Sequence, residues 1–258
     1  GLFSERILKF VPASKKLIEH EITSVLIHFP KKTIKIKFSK KFLVMEHAEL
    51  DRQVADLARN SGAEIVLNHT INVLPQGFDR VIGCDGANSV VRKSLGLPEP
   101  SYRLGVQWFN PKENFSNYVE VWPTKGGFSW KIPRGRETEY GIIDRPQEIK
   151  IDFQNKEIKS AMIPQGFLIP KHKTITLCGD AAGLTKPWSG GGVIWGLIAA
   201  EILLGTFPDF LKYQKKMKRC FIPRIIFSKT ATRLAYFLGF KTPWILPKNI
   251  KIESDFLL

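Results

Sequence analysis

Two junctions of strand, glycine turn and helix start constrain this chain more than any other feature. In one, Thr174 to Cys178 is a short β-branched, apolar run that reads as a buried parallel strand. Gly179 lets the backbone turn at the carboxyl end of that strand, where open α/β sheets bind ligands, and Asp180 sets a carboxylate there to accept from a ligand hydroxyl. Gly190-Gly191-Gly192 lets backbone N–H groups approach a flat or anionic ligand, just ahead of an apolar helix whose dipole adds partial positive charge. Taken alone, such a run is as compatible with a merely flexible loop as with a ligand loop. The other junction, Arg80 to Arg92, repeats the plan of strand, glycine turn and helix start, with Asn88 or Ser89 as N-cap.

In this order, with Gly86 and Asp180 94 residues apart, the two segments resemble the paired internal fingerprints of FAD-dependent oxidoreductases of the p-hydroxybenzoate hydroxylase fold. The Asp-Gly motif is G-x-D-G-x-x-S-x-x-R, and the Gly-Asp motif is G-D-A-A-G followed by P-x-x-G-x-G. Within that superfamily the wording is closest to the geranylgeranyl reductase family, which saturates isoprenoid double bonds, and the resemblance covers most of residues 1–206. It implies an α/β fold, a Rossmann-like FAD-binding domain interleaved with an antiparallel β-sheet substrate domain and followed by a helical carboxyl end. It implies FAD as cofactor, held by Asp85, Gly86, Arg92, Gly179, Asp180, Gly183, Pro187, Gly190, Gly191 and Gly192. The implied reaction passes reducing equivalents from an electron donor through the flavin to a carbon–carbon double bond of a prenyl lipid. The chemistry is the flavin's, and no side chain is singled out as catalytic.

Phe128-x-Trp130-x-Ile132-Pro133 is similar to the Y-x-W-x-F-P motif of the geranylgeranyl reductase lipid pocket, which implies that Phe128, Trp130, Ile132 and Pro133 bind substrate. It is also similar to the W-x-W-x-I-P motif of flavin-dependent halogenases. Period-2 spacing puts Phe128, Trp130 and Ile132 on one strand face, an arrangement that serves a core as readily as a pocket. A flavin monooxygenase or halogenase is therefore the first alternative. The second is a chain that no longer binds FAD and serves as a lipid-binding or partner-binding protein.

Composition excludes several other classes. A chain of 258 residues, 43% hydrophobic and 24% charged, is ordinary globular protein. Cys84, Cys178 and Cys220 lack C-x-x-C spacing, and the first two read as small fillers within the motifs; this fits a reducing, cytoplasmic compartment. The five histidines form no metal-ligand pattern, so no metal is expected. Of the +15 net charge, residues 207–258 carry +8, from 11 Lys/Arg against 3 Asp/Glu. Peripheral contact with an anionic membrane and a solvated lysine-rich face are both open readings, whereas no motif accompanies the charge that would point to nucleic acid. Val193 to Leu204 is too short to span a bilayer.

Along the chain, residues 1–45 read as a linking part of the substrate domain, opening on helix at Gly1–Ile7 and continuing in three strands, Ile22–Phe29, Thr33–Phe38 and Phe42–Met45. Residues 46–98 form part of the FAD domain, with a helix through Leu50, Val54, Leu57 and Ala58 that Gly62 ends, then a strand at Glu64–Leu67. Residues 99–170 form the β-rich substrate domain and 171–206 return to the FAD domain. Residues 207–258 hold one amphipathic helix broken at Pro223, a second helix from Arg224 to Leu238, and an irregular tail. No G-x-G-x-x-G occurs, so the first ADP-binding βαβ of the fold is expected to be missing, and residues 1–258 are expected to be a flavin-free, aggregation-prone fragment when expressed alone.

Overall fold

Runs of alternating apolar and polar residues, such as Thr33 to Phe38, write the strands of a large sheet. The computed structural model describes residues 1–150 and 157–252. It begins with β1 (Leu2–Ser4), α1 (Ile7–Phe10), β2 (His20–Phe29), β3 (Lys32–Val44) and α2 (His47–Asn60). Next come β4 (Val81–Gly83), α3 (Val90–Ser94), β5 (Ser101–Asn110), β6 (Tyr118–Pro123), β7 (Phe128–Pro133), β8 (Thr138–Asp144) and β9 (Ile158–Gln165). The chain closes with β10 (Ile175–Leu177), α4 (Val193–Leu204), α5 (Phe210–Lys241) and β11 (Asn249–Ile252).

Nine strands form one mixed sheet in the order β1-β3-β2-β6-β7-β8-β5-β9, with β11 beside β3. Strands β4 and β10 form a separate two-stranded parallel sheet. Two cores follow. One gathers Leu177, Ala199, Tyr213, Met217 and Phe221 around the small sheet, and the other gathers Ile22, Phe42, Val121, Phe128 and Ile143 on the large one. Each such side chain stabilises the fold by about 1.5–3 kcal/mol on burial.

The helix expected through Leu50 is α2, and it ends as its sequence implies. Gly62 adopts φ 91°, the Gly62 amide donates to Arg59 O at 2.9 Å and the Ala63 amide to Ala58 O at 3.0 Å, which is the Schellman pattern.

Several expectations are overturned, each because pairing or packing at a distance outweighs local sequence. Gly1–Ile7 does not open as helix, because Leu2–Ser4 takes the free edge of β3 opposite Phe42–Val44. Residues 22–45 hold two strands rather than three. The register jumps from Ile22 opposite Phe42 to Ser24 opposite Lys37, so residues 38–41 bulge without ending β3. Glu64–Leu67 forms no strand; Val66 and Leu67 are exposed, and no neighbouring strand takes up the backbone groups there. Pro223 does not break the C-terminal helix, and α5 continues through it for 32 residues, about 48 Å. The helix is anchored on both sides of Pro223: Phe221 is fully buried in the first core, and Gly239 and Phe240 pack on Phe29 of the second. The tail is not irregular either, since Asn249–Ile252 pairs in parallel with Lys35–Phe38. Among the described residues no helix is long and apolar enough to cross a membrane.

Candidate functional site

Parallel pairing of β4 with β10, Val81 opposite Ile175 and Gly83 opposite Leu177, brings both glycine turns to the same end of the small sheet. Asp85 and Gly86 leave β4 there, and Gly179 and Asp180 leave β10 beside them. Asp85 does not offer a free carboxylate, because its Oδ2 accepts from the amides of Val90 at 2.7 Å and Val91 at 3.2 Å. Ser89 completes the cap of α3, its Oγ accepting from the Arg92 amide at 2.9 Å.

Arg92 is wholly buried. Its Nη1 donates to Ala181 O at 3.0 Å, while Nη2 lies within hydrogen-bonding reach of Ala87 O (2.7 Å), Glu99 Oε2 (2.8 Å) and the Tyr102 hydroxyl (2.9 Å). Nε is buried without a partner among the described residues. The guanidinium thus joins the two turns to each other, through Ala87 of one and Ala181 of the other. It has no surface left to meet a ligand, so the expected ligand contact becomes a positioning role. Glu99 and Tyr102 carry no motif and were legible only through the fold.

Asp180 supplies what Asp85 does not. Burial raises the pKa of its carboxyl, which has no hydrogen-bond or ion-pair partner among the described residues. Gly192, at the amino end of α4, lies directly against it: a methyl group added there would come within 2.6 Å of Asp180 Oδ1. Among the described residues no side chain caps α4, and its first turn closes only with the Gly196 amide on Gly192 O at 2.7 Å, leaving the Val193 and Ile194 amides without intrahelical acceptors. A carboxylate without a partner among the described residues and an open helix terminus therefore lie side by side.

The remaining glycines shape the loop rather than line the site with open amides. The Gly190 amide is used on Lys186 O at 3.0 Å and the Gly191 amide on Ser189 Oγ at 3.3 Å. Gly190 itself, at φ 72°, sits on Ile143 and Ile163, where any side chain would collide. Gly183 O accepts from the Gly166 amide at 2.8 Å, and Pro187 O from Gln165 Nε2 at 3.2 Å, so the loop is laced to the end of β9.

On β7, Phe128, Ile132 and Pro133 are buried, and Phe128 and Ile132 belong to the second core. Phe128 stacks on Trp188 of the glycine loop, ring centroids 5.2 Å apart. Trp130 is half-buried, its Nε1 donating to Glu139 Oε1 at 2.9 Å. The expected aromatic face is therefore mostly packed, with Trp130 and Trp188 keeping partial exposure beside the loop.

No family model matches the chain. It is 24% identical over 227 residues to an uncharacterized protein of Methanocaldococcus jannaschii, covering 74% of this chain and 57% of the relative. It is 22% identical over 203 residues to one of Methanosarcina barkeri, covering 69% and 52%. The chain thus spans little more than half the length of these relatives. Among solved structures it is similar to a geranylgeranyl bacteriochlorophyll reductase-like protein from Thermoplasma acidophilum, at TM-score 0.71 and 18% identity over 90% of this chain and 76% of that one. It is also similar to BrvH, a flavin-dependent halogenase from Brevundimonas, at TM-score 0.73 and 12% identity over 99% and 72%. The chain has the mixed α/β fold of these proteins.

Proposed function

We propose that this chain serves a flavin-dependent oxidoreductase and holds FAD where the two glycine turns meet. The observation that carries the reading is the Asp180 carboxylate, without a partner among the described residues, beside the uncapped end of α4 at the carboxyl ends of two parallel strands. A cofactor rich in hydroxyl donors, with a ring system that becomes anionic on reduction, fits this pair. When bound, FAD supplies the two-electron chemistry. The chain's own part is to accept a hydroxyl hydrogen bond at Asp180 and to favour negative charge at the Val193 and Ile194 amides by ~0.3–2 kcal/mol. Arg92 holds the turns in register, and Trp188 limits the access of water.

For the substrate we propose a double bond of a polyprenyl lipid, supported by the motif on β7 and by the likeness to the reductase-like protein. The equally strong likeness to halogenases favours a second reading, oxygen-dependent halogenation or hydroxylation of an aromatic. Anaerobic incubation of the FAD-loaded protein with dithionite and a geranylgeranyl lipid, read by mass spectrometry, separates the two. Gain of two hydrogens per double bond is expected. Product that forms only with oxygen, and with halide on an indole, would replace the first reading by the second, and neither product from a flavin-loaded protein would remove both.

We also propose that the outer half of α5 rests on an anionic membrane surface. Ile222, Ile226, Leu234 and Phe237 form an exposed apolar stripe, continued by Trp244 and Ile245, and Arg219, Arg224, Lys229, Arg233 and Lys241 flank it. Each basic residue near anionic lipid contributes about 1 kcal/mol. The protein should sediment with phosphatidylserine vesicles and not with neutral phosphatidylcholine ones, and the double replacement Ile226→Ser, Phe237→Ser should weaken this at least tenfold. Equal binding to both vesicle types, or to neither, would dismiss the contact.

A further inference from the structure

Cys84 and Cys178 occupy equivalent places at the ends of β4 and β10. Gly83 lies opposite Leu177, and the Cys178 amide donates to Gly83 O at 2.9 Å. One more step of that register sets the two cysteines side by side at the spacing of neighbouring strands, about 4.8 Å, inside the roughly 4.4–6.8 Å between α-carbons that a disulfide spans. The two thiols lie close enough that each shifts the other's pKa. Cys84 is exposed, whereas Cys178 is buried against α4 and α5, its Sγ 3.8 Å from Gly196 O, with the Tyr213 hydroxyl donating to the adjacent Leu177 O at 3.2 Å. Cys220 stands apart on α5, its Sγ accepting from Arg224 Nη1 at 3.0 Å.

We propose that Cys84 and Cys178 form a redox-active dithiol that a hydroperoxide closes to a disulfide and a thiol reductant reopens, clamping together the two strands from which Asp85 and Asp180 emerge. The proposal rests on strand pairing alone and does not depend on the flavin reading. Contact with Cys84 lowers the pKa of Cys178, aided by Tyr213 and the Gly179 amide, and the same contact raises that of Cys84. The pair therefore shares one proton, and the first charge to form is stabilised in place. That charge sits on Cys178, which takes the proton of the exposed Cys84 thiol as the Cys84 sulfur attacks the hydroperoxide; the O–O bond breaks, the expelled alkoxide takes the proton from Cys178, and a sulfenic acid is left on Cys84. Cys178, as thiolate, then attacks the Cys84 sulfur, forming the S–S bond and expelling hydroxide. Two thiols have lost two protons and two electrons, and the peroxide has been reduced to an alcohol and water.

The test is mild oxidation of the reduced, purified protein with stoichiometric cumene hydroperoxide, followed by intact mass and by tryptic mapping without reduction. The expected result is loss of two hydrogen masses, a peptide cross-link between Cys84 and Cys178, and full reversal by dithiothreitol. Cys84→Ser and Cys178→Ser should each abolish the cross-link, and Cys220→Ser should leave it intact. Because Cys178 is buried, Cys84→Ser at the exposed site keeps the test independent of any folding defect. Separate sulfinic acids at the two positions, or a cross-link running through Cys220, would overturn the proposal.

Discussion

Replacing Arg92 by alanine is expected to cost about 2–4 kcal/mol of folding stability, from a buried carbonyl left without its donor and the space left by a wholly buried side chain. Folding stabilities are only about 5–15 kcal/mol, so Arg92→Ala should remove a large share of the total. The reason is geometric. The guanidinium reaches Ala87 O and Ala181 O; without it the buried Ala181 carbonyl loses its donor, and Ala87 O keeps, among the described residues, only the Tyr102 hydroxyl at 3.1 Å. Arg92→Lys keeps the charge but cannot divide donors among four groups, and should recover only part of the loss. Glu99, about half exposed, is the dispensable partner, and Glu99→Gln should change little. Urea unfolding of the three variants checks the ranking. An Arg92→Ala protein within about 1 kcal/mol of the parent would mean that the turns hold together without it.

Asp180→Asn should strengthen the cofactor-free fold while weakening its hold on FAD. Burial raises the Asp180 pKa above its ordinary 3.8, so the folded state binds more protons than the unfolded one between that value and the raised one. Stability therefore falls as pH climbs through that window, and at neutral pH the ionised carboxylate weighs against folding. Asparagine removes the penalty, and the variant should melt higher at neutral pH and show a flatter pH profile. It also gives up a charged acceptor, so FAD affinity should drop by the roughly 1.5–3 kcal/mol of a hydrogen bond to a charged group, or about ten- to a hundredfold. Thermal scans of apoprotein across pH, paired with FAD titrations, read both sides. Lower stability with undiminished FAD affinity would contradict the assignment.

What the sequence makes legible here is what local chemistry decides. The two glycine turns, the cap at Ser89 and the end of α2 at Gly62 all depend on backbone conformations within a few residues. Glu64–Leu67 has strand composition, yet a strand exists only where another strand accepts its hydrogen bonds. Asn249–Ile252 has little to mark it, and becomes a strand because β3 offers an edge. Pro223 is a helix breaker by its own chemistry, outweighed by anchors at Phe221 and Gly239. The same division holds in the site. Asp180 stands out in its motif, but only the folded chain shows that Asp85 is absorbed in capping α3 and that Arg92 ties Ala87 to Ala181, 89 positions from the arginine. Cys84 and Cys178 look like unrelated fillers until β4 and β10 pair.

The edge of β3 sets a schedule for synthesis. Lys35–Phe38 waits for Asn249–Ile252 to complete it, and Phe29 waits for Gly239 and Phe240. At translation speeds of about 5–20 residues per second, roughly 10–40 s separate the appearance of the first partner from that of the second. Throughout that interval Lys35–Phe38 of the nascent β2–β3 hairpin has an unpaired edge. The late helix and strand thus act as the closing parts of a fold begun at β2 and β3.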